Sequence, residues 1–481
     1  MNQTATFPIA PPADTAPALI RPARISAAKL IFFLALHIPL AILLKMVPAL
    51  ALAHAMASFL VGMVWAASGG KVHRVAWAGA YIAGGEVLWR MTNTSTALPW
   101  EFGKYAMSAI FVTSMLRRGQ LRFPASALLF FVMLIPAAII TFAQYEWYYS
   151  RRFVSAYLSG PLSLIIAVGF FSRLRVTPYK LFFILVALMG PIVSVATICF
   201  RSTFGSSVAF GTESSVEASG GFGPNQVSAT LGLGILAALF CQTDEKTKLI
   251  HKIVLIVLTA FFAVQSALTL SRTGLYLAVA GAACGGVYML RNNRMRLNLI
   301  GGVLVLLVLG KFVLVPWLDN YTGGALTARF SDTGLTNREK IAKTDLQMFM
   351  DNPLTGVGIG LSGWARAKYG FKAPAHTEFT RLLAEHGIFG LGAIIALLLL
   401  GVQIFRKARS IKGRALVAGM FAFSMLFMAA SAMRLVLPSF TFGFAAIALM
   451  PEKRQRRGRV EALPETSQRS QKEIETHQSV T

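Results

Sequence analysis

The sequence predicts an all-α, polytopic membrane protein with about fourteen transmembrane helices and one long loop. Hydrophobic residues make up 55% of the 481 residues and charged residues only 14%, whereas a soluble domain carries about 25% charged residues. Apolar runs of about 20 residues, the length that crosses a bilayer core, recur along the chain. The basic residues lie in short clusters between these runs. A soluble enzyme, a secreted disulfide-rich domain and a disordered protein are therefore excluded.

The chain divides into five segments. Residues 1–26 are rich in Ala, Pro and Thr, lack the order of charge, apolar core and cleavage site of a signal peptide, and are expected to be a disordered cytoplasmic tail. Residues 318–381 are predicted to form the long loop, and residues 451–481 a basic cytoplasmic tail. Eleven helices are predicted within 27–317 and three within 382–450, near 27–47, 49–68, 74–91, 101–116, 123–142, 156–172, 180–200, 226–241, 249–270, 272–290, 297–317, 382–405, 413–432 and 434–450.

The distribution of Lys and Arg supports this map. With both termini in the cytoplasm, the cytoplasmic segments contain 29 of the 46 basic residues, and eight of the other 17 lie in the long loop. Orientation follows the basic residues of short loops, so the long loop does not count against it. The net charge of +26 is thus explained by topology, and no nucleic-acid partner is predicted.

No metal site or cofactor is predicted. Cys199, Cys241 and Cys284 lie in or beside apolar segments without a mutual spacing pattern, which argues against a disulfide or a metal cluster. The loops on the non-cytoplasmic side lack the clustered carboxylates that hold a divalent metal on a diphosphate. An anionic leaving group would therefore have to be stabilised by arginine side chains.

Two helix starts carry polar motifs on the non-cytoplasmic side. Residues 220–226 (Gly-Gly-Phe-Gly-Pro-Asn-Gln) open the eighth helix, where glycines allow close backbone approach and the helix start can bind an anion. The alternative is a flexible turn. Arg272 lies in the Ser-Arg-Thr-Gly sequence between two apolar helices. Its guanidinium group matches phosphate oxygens, although an arginine at this depth can also simply extend to the membrane surface.

The long loop contains three further motifs. Thr336-Asn337-Arg338-Glu339 predicts a capping box that begins a surface helix ending near Met350. Arg338 in its first turn opposes the helix dipole unless an anion lies nearby; the alternative is a solvated arginine offset by Glu339. Residues 353–360 (Pro-Leu-Thr-Gly-Val-Gly-Ile-Gly) predict a tight turn. His376 precedes a helix that re-enters the membrane, where it could accept a proton near neutral pH or be an inert surface residue.

The ordered set of motifs resembles the O-antigen ligase and polysaccharide polymerase superfamily. Ser-Arg-x-Gly at a helix junction, Arg338 at a loop helix, Pro-Leu-x-Gly-Val-Gly-Ile-Gly, Ala-His, and Leu-Leu-Ala-Glu-His-Gly-Ile-Phe-Gly follow one another across about residues 200–400. The resemblance implies a multi-pass GT-C type glycosyltransferase of the bacterial inner membrane with a periplasmic active site. It implies an inverting, metal-independent transfer of a glycan from undecaprenyl diphosphate to a sugar hydroxyl.

The resemblance also implies roles for individual residues. Arg272 and Arg338 would bind the diphosphate, and His376 would activate the acceptor. The substrate-binding candidates are Arg329, Asn225, Arg201, Gly356 and Gly358. One departure is that Thr377 follows His376 where the family pattern has an asparagine.

Several alternatives remain open at this stage. A polymerase of exopolysaccharide or O-antigen type is favoured over a ligase acting on lipid A-core, and a protein O-glycosylating ligase is a third member of this class. A transporter or flippase for lipid-linked sugars is the rival from another class, with His37, Glu86, Arg90 and Lys45 as its candidate polar residues. The expected partners are the lipid-linked oligosaccharide, the acceptor glycan, membrane lipids, a chain-length regulator and a flippase. The aromatic residues 145–149 are interpreted as part of an interfacial belt.

Overall fold

A computed structural model describes residues 26–450 apart from gaps at 93, 95–96, 206–207, 244–247, 292–295, 298–303, 305–307, 309, 333, 335–337, 374 and 432. Both predicted tails (1–25 of the first, all of the second) and ten of the 21 residues of the predicted helix at 297–317 lie outside the described residues. The helices are α1 (Ala27–Met46), α2 (Pro48–Ala67), α3 (Val72–Met91), α4 (Phe102–Arg117), α5 (Ala125–Val132), α6 (Ile135–Gln144), α7 (Trp147–Phe171), α8 (Pro178–Phe204), α9 (Pro224–Gln242), α10 (Leu249–Leu268), α11 (Arg272–Met289), α12 (Val315–Tyr321), α13 (Ala325–Ser331), α14 (Arg338–Asp351), α15 (Ser362–Ala365), α16 (Glu378–His386), α17 (Ile388–Lys407), α18 (Ile411–Ala430) and α19 (Leu437–Ala445).

The structure confirms an all-α polytopic membrane protein. Within the described part of the chain, nine apolar segments are long enough to cross a bilayer: α1, α2, the joined α5–α6 segment, α7, α8, α9, α10, α17 and α18. Helices α3, α4 and α11 coincide with three more predicted spans. Helix α3 is less apolar than these nine segments. It is packed among other helices, with 14 of its 20 residues buried, and so exposes little surface to lipid.

Three predicted spans differ from a single straight helix. The segment at 382–405 begins within α16 and is interrupted at Gly387, after which α17 begins. The segment at 123–142 is divided into α5 and α6, where Pro136 occupies the first turn of α6 and lacks the N–H that would continue the helix. The segment at 434–450 contains the nine-residue α19, whose rise of about 14 Å is too short for a bilayer. Its remainder forms strand β2 (Ala448–Leu449), parallel to β1 (Arg175–Val176).

The two ends of the helix bundle are distinct. At one end, Arg118 donates to the carbonyl groups of Gly69 and Gly70, so two loops that are both predicted to be cytoplasmic meet there. At the other end, the Ser215 N–H donates to the Thr269 carbonyl. We call this second end the loop face; it is formed by the described residues within 92–101, 145–155, 208–223, 269–271, 318–378 and 433–436.

Close packing of α9 against α11 places the start of α11. Gly274 lies so near α9 that a Cβ atom there would be 1.8 Å from the Ser228 carbonyl oxygen. The Ser228 hydroxyl accepts from the Gly274 N–H at 2.9 Å and donates to the Ser271 carbonyl at 2.9 Å. The glycine of the Ser-Arg-Thr-Gly motif is therefore a packing residue that positions Arg272.

Candidate active site

A sharp turn between α10 and α11 presents Arg272 at the loop face. Leu270 adopts φ +53°, a left-handed conformation that is costly for a residue with a branched side chain. The Arg329 Nε donates to the Leu270 carbonyl at 3.2 Å, and the Ser271 hydroxyl donates to Asn225 Oδ1 at 2.7 Å. Arg329 and Asn225 thus act as positioning residues for the turn that carries Arg272.

Three arginines gather beside this turn. Arg272 donates through both terminal nitrogens to the carbonyl groups of Asp332 and Gly334. Arg329 is 7% exposed, and its Nη1 lies 3.7 Å from Asp332 Oδ2. Burial and the positive charges of Arg272 and Arg329 lower the pKa of Arg338. We call Arg272, Arg329 and Arg338 the arginine cluster. Among the described residues, one carboxylate, that of Asp332, forms a salt bridge with this cluster, so the cluster is suited to an anion.

Arg338 opens α14, as predicted. The proposed cap residues Thr336 and Asn337 lie outside the described residues. Glu339 forms an exposed ion pair with Lys343 at 2.7 Å, so its carboxylate does not offset Arg338 through a direct contact. The helix buries Ile341, Thr344, Asp345 and Met348.

His376 lies half-buried in the segment that leads into α16. Burial lowers its pKa below the usual value of 6.5, and the positive charges of Arg338, Arg434 and Arg366 lower it further. A histidine with a lowered pKa is neutral at pH 7 and can accept a proton. His376 therefore combines the protonation state of a general base with a strongly positive surrounding.

Arg434 belongs to this surrounding, although no role is predicted for it from the sequence. Its Nη2 donates to the Ala375 carbonyl at 3.1 Å, next to His376. Its own carbonyl accepts from Arg90 Nη2 at 3.0 Å, and Arg90 forms a salt bridge with Glu86 at 2.6 Å. An arginine within the apolar run 433–437 was the available signal, because charges at membrane depth usually serve a function.

A buried ion pair supports the His376 segment. Arg366 and Asp345, both fully buried, form a salt bridge. Arg366 also donates to the Ala373 carbonyl at 2.7 Å, and Asp345 accepts from the Thr380 hydroxyl at 2.8 Å. These contacts tie α14, which begins at Arg338, to both sides of His376. The pair is predictable only in part: Asp345 lies on the apolar face of α14, but nothing in the sequence identifies Arg366 as its partner.

Breaking this ion pair should destabilise the loop. Asp345→Ala would leave the Arg366 charge buried and unpaired, at a cost of about 3–5 kcal/mol, whereas an Asp345→Leu/Arg366→Met double variant should recover most of that loss. The measurement is thermal unfolding of the purified protein in detergent. A double variant less stable than Asp345→Ala would contradict the assignment.

Three of the substrate-binding candidates lie elsewhere or serve another role. Gly356 and Gly358 are buried with φ of +66° and +97°, and a Cβ on Gly356 would be 2.3 Å from the Glu385 backbone. The Gly358 N–H donates to the Glu385 carbonyl at 3.1 Å. The two glycines therefore dock the tight turn onto α16 and are not open to a ligand. Arg201 is exposed in the last turn of α8, and the charges that act on Arg338 and His376 come from other arginines.

The helix that follows His376 contains a second buried ion network. Arg381 lies between Glu378 and Glu385 and forms salt bridges with both. Its guanidinium carbon lies 4.9 Å from the centroid of the Tyr157 ring. Glu378 also accepts from the Met433 N–H at 3.1 Å. This network fixes α16 against α7 and the 433–436 turn, and so fixes the base of the His376 segment.

Comparison with known families identifies the region that contains these residues. Residues 254–395 match the family model described as O-antigen ligase. The match begins in α10 and ends in α17, so it includes the arginine cluster and His376. No curated protein matches the chain. The resemblance inferred from the motifs is confirmed over this segment.

Proposed function

Because residues 254–395 form an O-antigen ligase family domain, we propose that the protein transfers a glycan from undecaprenyl diphosphate to a sugar hydroxyl at the periplasmic face of the bacterial inner membrane. One observation supports this proposal above all. Besides burial, the positive charge of Arg338 lowers the pKa of His376. Burial and the charges of Arg272 and Arg329 lower the pKa of Arg338. This pairing of a base with an anion site is what glycan transfer from a diphosphate requires.

The residues divide the reaction between them. The acceptor oxygen attacks the anomeric carbon on the side opposite the diphosphate, which inverts the configuration. His376 accepts the hydroxyl proton as the new C–O bond forms and the bond to the diphosphate oxygen breaks. The forked guanidinium groups of Arg272 and Arg338 stabilise the negative charge of the leaving group. In this scheme the arginines provide the positive charge, and no metal ion is required.

The pH dependence should reveal the interaction between these charges. Since the pKa of His376 is lowered, kcat/KM should be constant at neutral pH and fall as the pH drops through a value below 6.5. Arg338→Ala removes one of the charges that lower this pKa, so its acidic limb should move to higher pH. A bound diphosphate should act in the same direction, so the limb of kcat should lie above that of kcat/KM. If the acidic limbs of kcat and kcat/KM coincide, and Arg338→Ala does not move them, His376 is not the base.

The transporter alternative depends on polar groups within the helices, and the described contacts occupy them. Trp89 Nε1 donates to His54 Nδ1 at 3.0 Å, which assigns the His54 proton to Nε2, 2.8 Å from the Tyr81 hydroxyl. Tyr81 can then donate to His37 Nε2 at 3.1 Å. Glu86 accepts from Arg90 and from the Val436 N–H at 2.6 Å. These satisfied groups favour a structural role over a transport path.

Reconstitution tests the proposal and distinguishes the acceptor. The purified protein in liposomes would be supplied with a short glycan on undecaprenyl diphosphate, first without and then with lipid A-core. A ladder of longer lipid-linked chains would identify a polymerase. Transfer only with lipid A-core would identify a ligase, which the family match supports equally. If neither product forms but the lipid-linked glycan crosses the bilayer, the transfer proposal is overturned.

A further inference from the structure

Two aromatic side chains from different loops lie together beside the candidate active site. Trp100, in the turn before α4, is 51% exposed. Its ring lies nearly parallel to that of Phe222, with an interplanar angle of 24° and a centroid separation of 6.2 Å. This separation exceeds the contact distance of about 3.5–4 Å for carbon atoms, so the two rings are not in full face-to-face contact, and Phe222 also packs against the hydrophobic core. We call Trp100 and Phe222 the aromatic platform.

Basic side chains hold both loops of the platform in place. Arg90 Nη2 donates to the Trp100 carbonyl at 2.6 Å, and its guanidinium carbon lies 5.0 Å from the centroid of the Trp100 ring. Lys45 Nζ donates to the Met91 carbonyl at 2.6 Å and to the Gly220 carbonyl at 3.1 Å. Lys45 thus links the end of α3 to the loop that carries Phe222. An exposed tryptophan fixed in this way differs from a tryptophan that merely lies at the membrane interface.

The same contacts place the platform next to the reacting groups. Arg90 Nη2 donates both to the Trp100 carbonyl and to the Arg434 carbonyl, so these two oxygens share one nitrogen. Arg434 in turn donates to the Ala375 carbonyl beside His376. On the other side, Phe222 lies three residues before Asn225, which accepts from Ser271 at the turn that carries Arg272. The platform therefore adjoins both the His376 segment and the Arg272 turn.

We propose that the aromatic platform binds a pyranose ring of the substrate glycan next to the bond that is transferred. A pyranose presents a face of C–H groups that buries well against an aromatic ring. Its rim of hydroxyl groups needs hydrogen-bonding partners, and the neighbouring loops supply polar side chains and backbone groups. The inference rests on the proposed function for the identity of the ligand as a glycan. The ring can belong to the donor or to the acceptor, and the experiment separates these sources.

The kinetic test compares Trp100→Ala and Trp100→Phe with a matched control. The control is Trp147→Ala, which removes a 70% exposed tryptophan from the aromatic residues at the start of α7. Transfer would be measured with the lipid-linked donor and with a lipid-free acceptor oligosaccharide varied separately. We expect Trp100→Ala to raise one of the two KM values about tenfold, with Trp100→Phe near the wild type and kcat nearly unchanged. The substrate whose KM rises identifies the source of the ring.

Other kinetic outcomes overturn the proposal. If Trp100→Ala and Trp147→Ala give the same KM values, then Trp100 is an interfacial residue like Trp147. If Trp100→Ala lowers thermal stability and kcat while both KM values stay at wild type, then the pair is a structural contact.

A binding measurement keeps this inference separate from the proposed function. The probe is the oligosaccharide repeat released by mild acid from the host's lipid-linked pool, titrated against the protein in detergent. Subtracting the tryptophan fluorescence change of Trp100→Phe from that of the wild type should leave a saturable signal. Absence of transfer in the wild type would overturn the proposed function and leave this signal readable. Equal titration curves for the wild type, Trp100→Ala and Trp147→Ala would overturn the platform.

Discussion

Replacing His376 by alanine is expected to lower kcat for glycan transfer by about 10²–10⁴-fold, the usual contribution of a general base. Burial, and then the positive charges of Arg338, Arg434 and Arg366, lower the pKa of the His376 imidazole and keep it neutral. The KM for the lipid-linked donor should change little, because the arginines proposed to bind the diphosphate remain. The measurement is the initial rate of product formation by the protein in liposomes.

His73→Ala is the matched control for this prediction. His73 lies in the first turn of α3, at the end of the bundle opposite the loop face, and its removal should leave the transfer rate at the wild-type level. Thermal unfolding of His376→Ala should resemble that of the wild type, since no hydrogen bond to the His376 ring is seen within the described ranges. A His376→Ala protein that retains full activity would exclude this residue as the base.

Replacing Arg338 by alanine should lower kcat/KM for the lipid-linked donor by about 10–150-fold. A hydrogen bond to a charged group contributes about 1.5–3 kcal/mol, and a factor of ten corresponds to about 1.4 kcal/mol. The kcat/KM of Arg338→Lys should lie between those of the wild type and Arg338→Ala, because an ammonium group keeps the charge but cannot bind phosphate oxygens as a fork. The kcat/KM of both variants would be measured with the donor concentration varied, at several salt concentrations.

Arg151→Ala provides the control for Arg338. Arg151 is an exposed arginine near the loop face whose guanidinium carbon lies 5.2 Å from the centroid of the Tyr148 ring, outside the arginine cluster. A loss of activity as large in Arg151→Ala as in Arg338→Ala would indicate a general electrostatic effect and contradict a specific diphosphate site. Arg272→Ala needs a parallel stability measurement, because Arg272 also holds the backbone carbonyl of Gly334 at 3.2 Å.

These experiments also test how the site is assembled. Arg272 and Arg329 act on Arg338 through charge, and Arg338 acts on His376 in the same way. Losses from combined substitutions are therefore expected to be smaller than the product of the single losses, as is usual for residues that act as a unit. Combined losses equal to the product of the single losses would indicate that the arginines bind separate groups.

The sequence by itself determined the fold class and identified the candidate charged residues within the motifs. Apolar runs predicted α1, α2, α8 and α10 to within a few residues, because the length of a span depends only on the local sequence and on bilayer thickness. The motifs also singled out Arg272, Arg338 and His376, since an arginine at a helix junction or helix start is visible without knowing its neighbours.

Only the tertiary structure decided which side chains meet. Arg366 pairs with Asp345 across 21 residues, Arg90 reaches Arg434 across 344, and Trp100 lies against Phe222 from another loop. The motif glycines Gly274 and Gly356 proved to be sites of close packing, and α19 with its strand replaced one straight helix. Such contacts depend on how distant segments pack, and a composition or spacing rule reads only neighbours along the chain. The chemistry of the site therefore follows from local sequence, while its geometry follows from long-range packing.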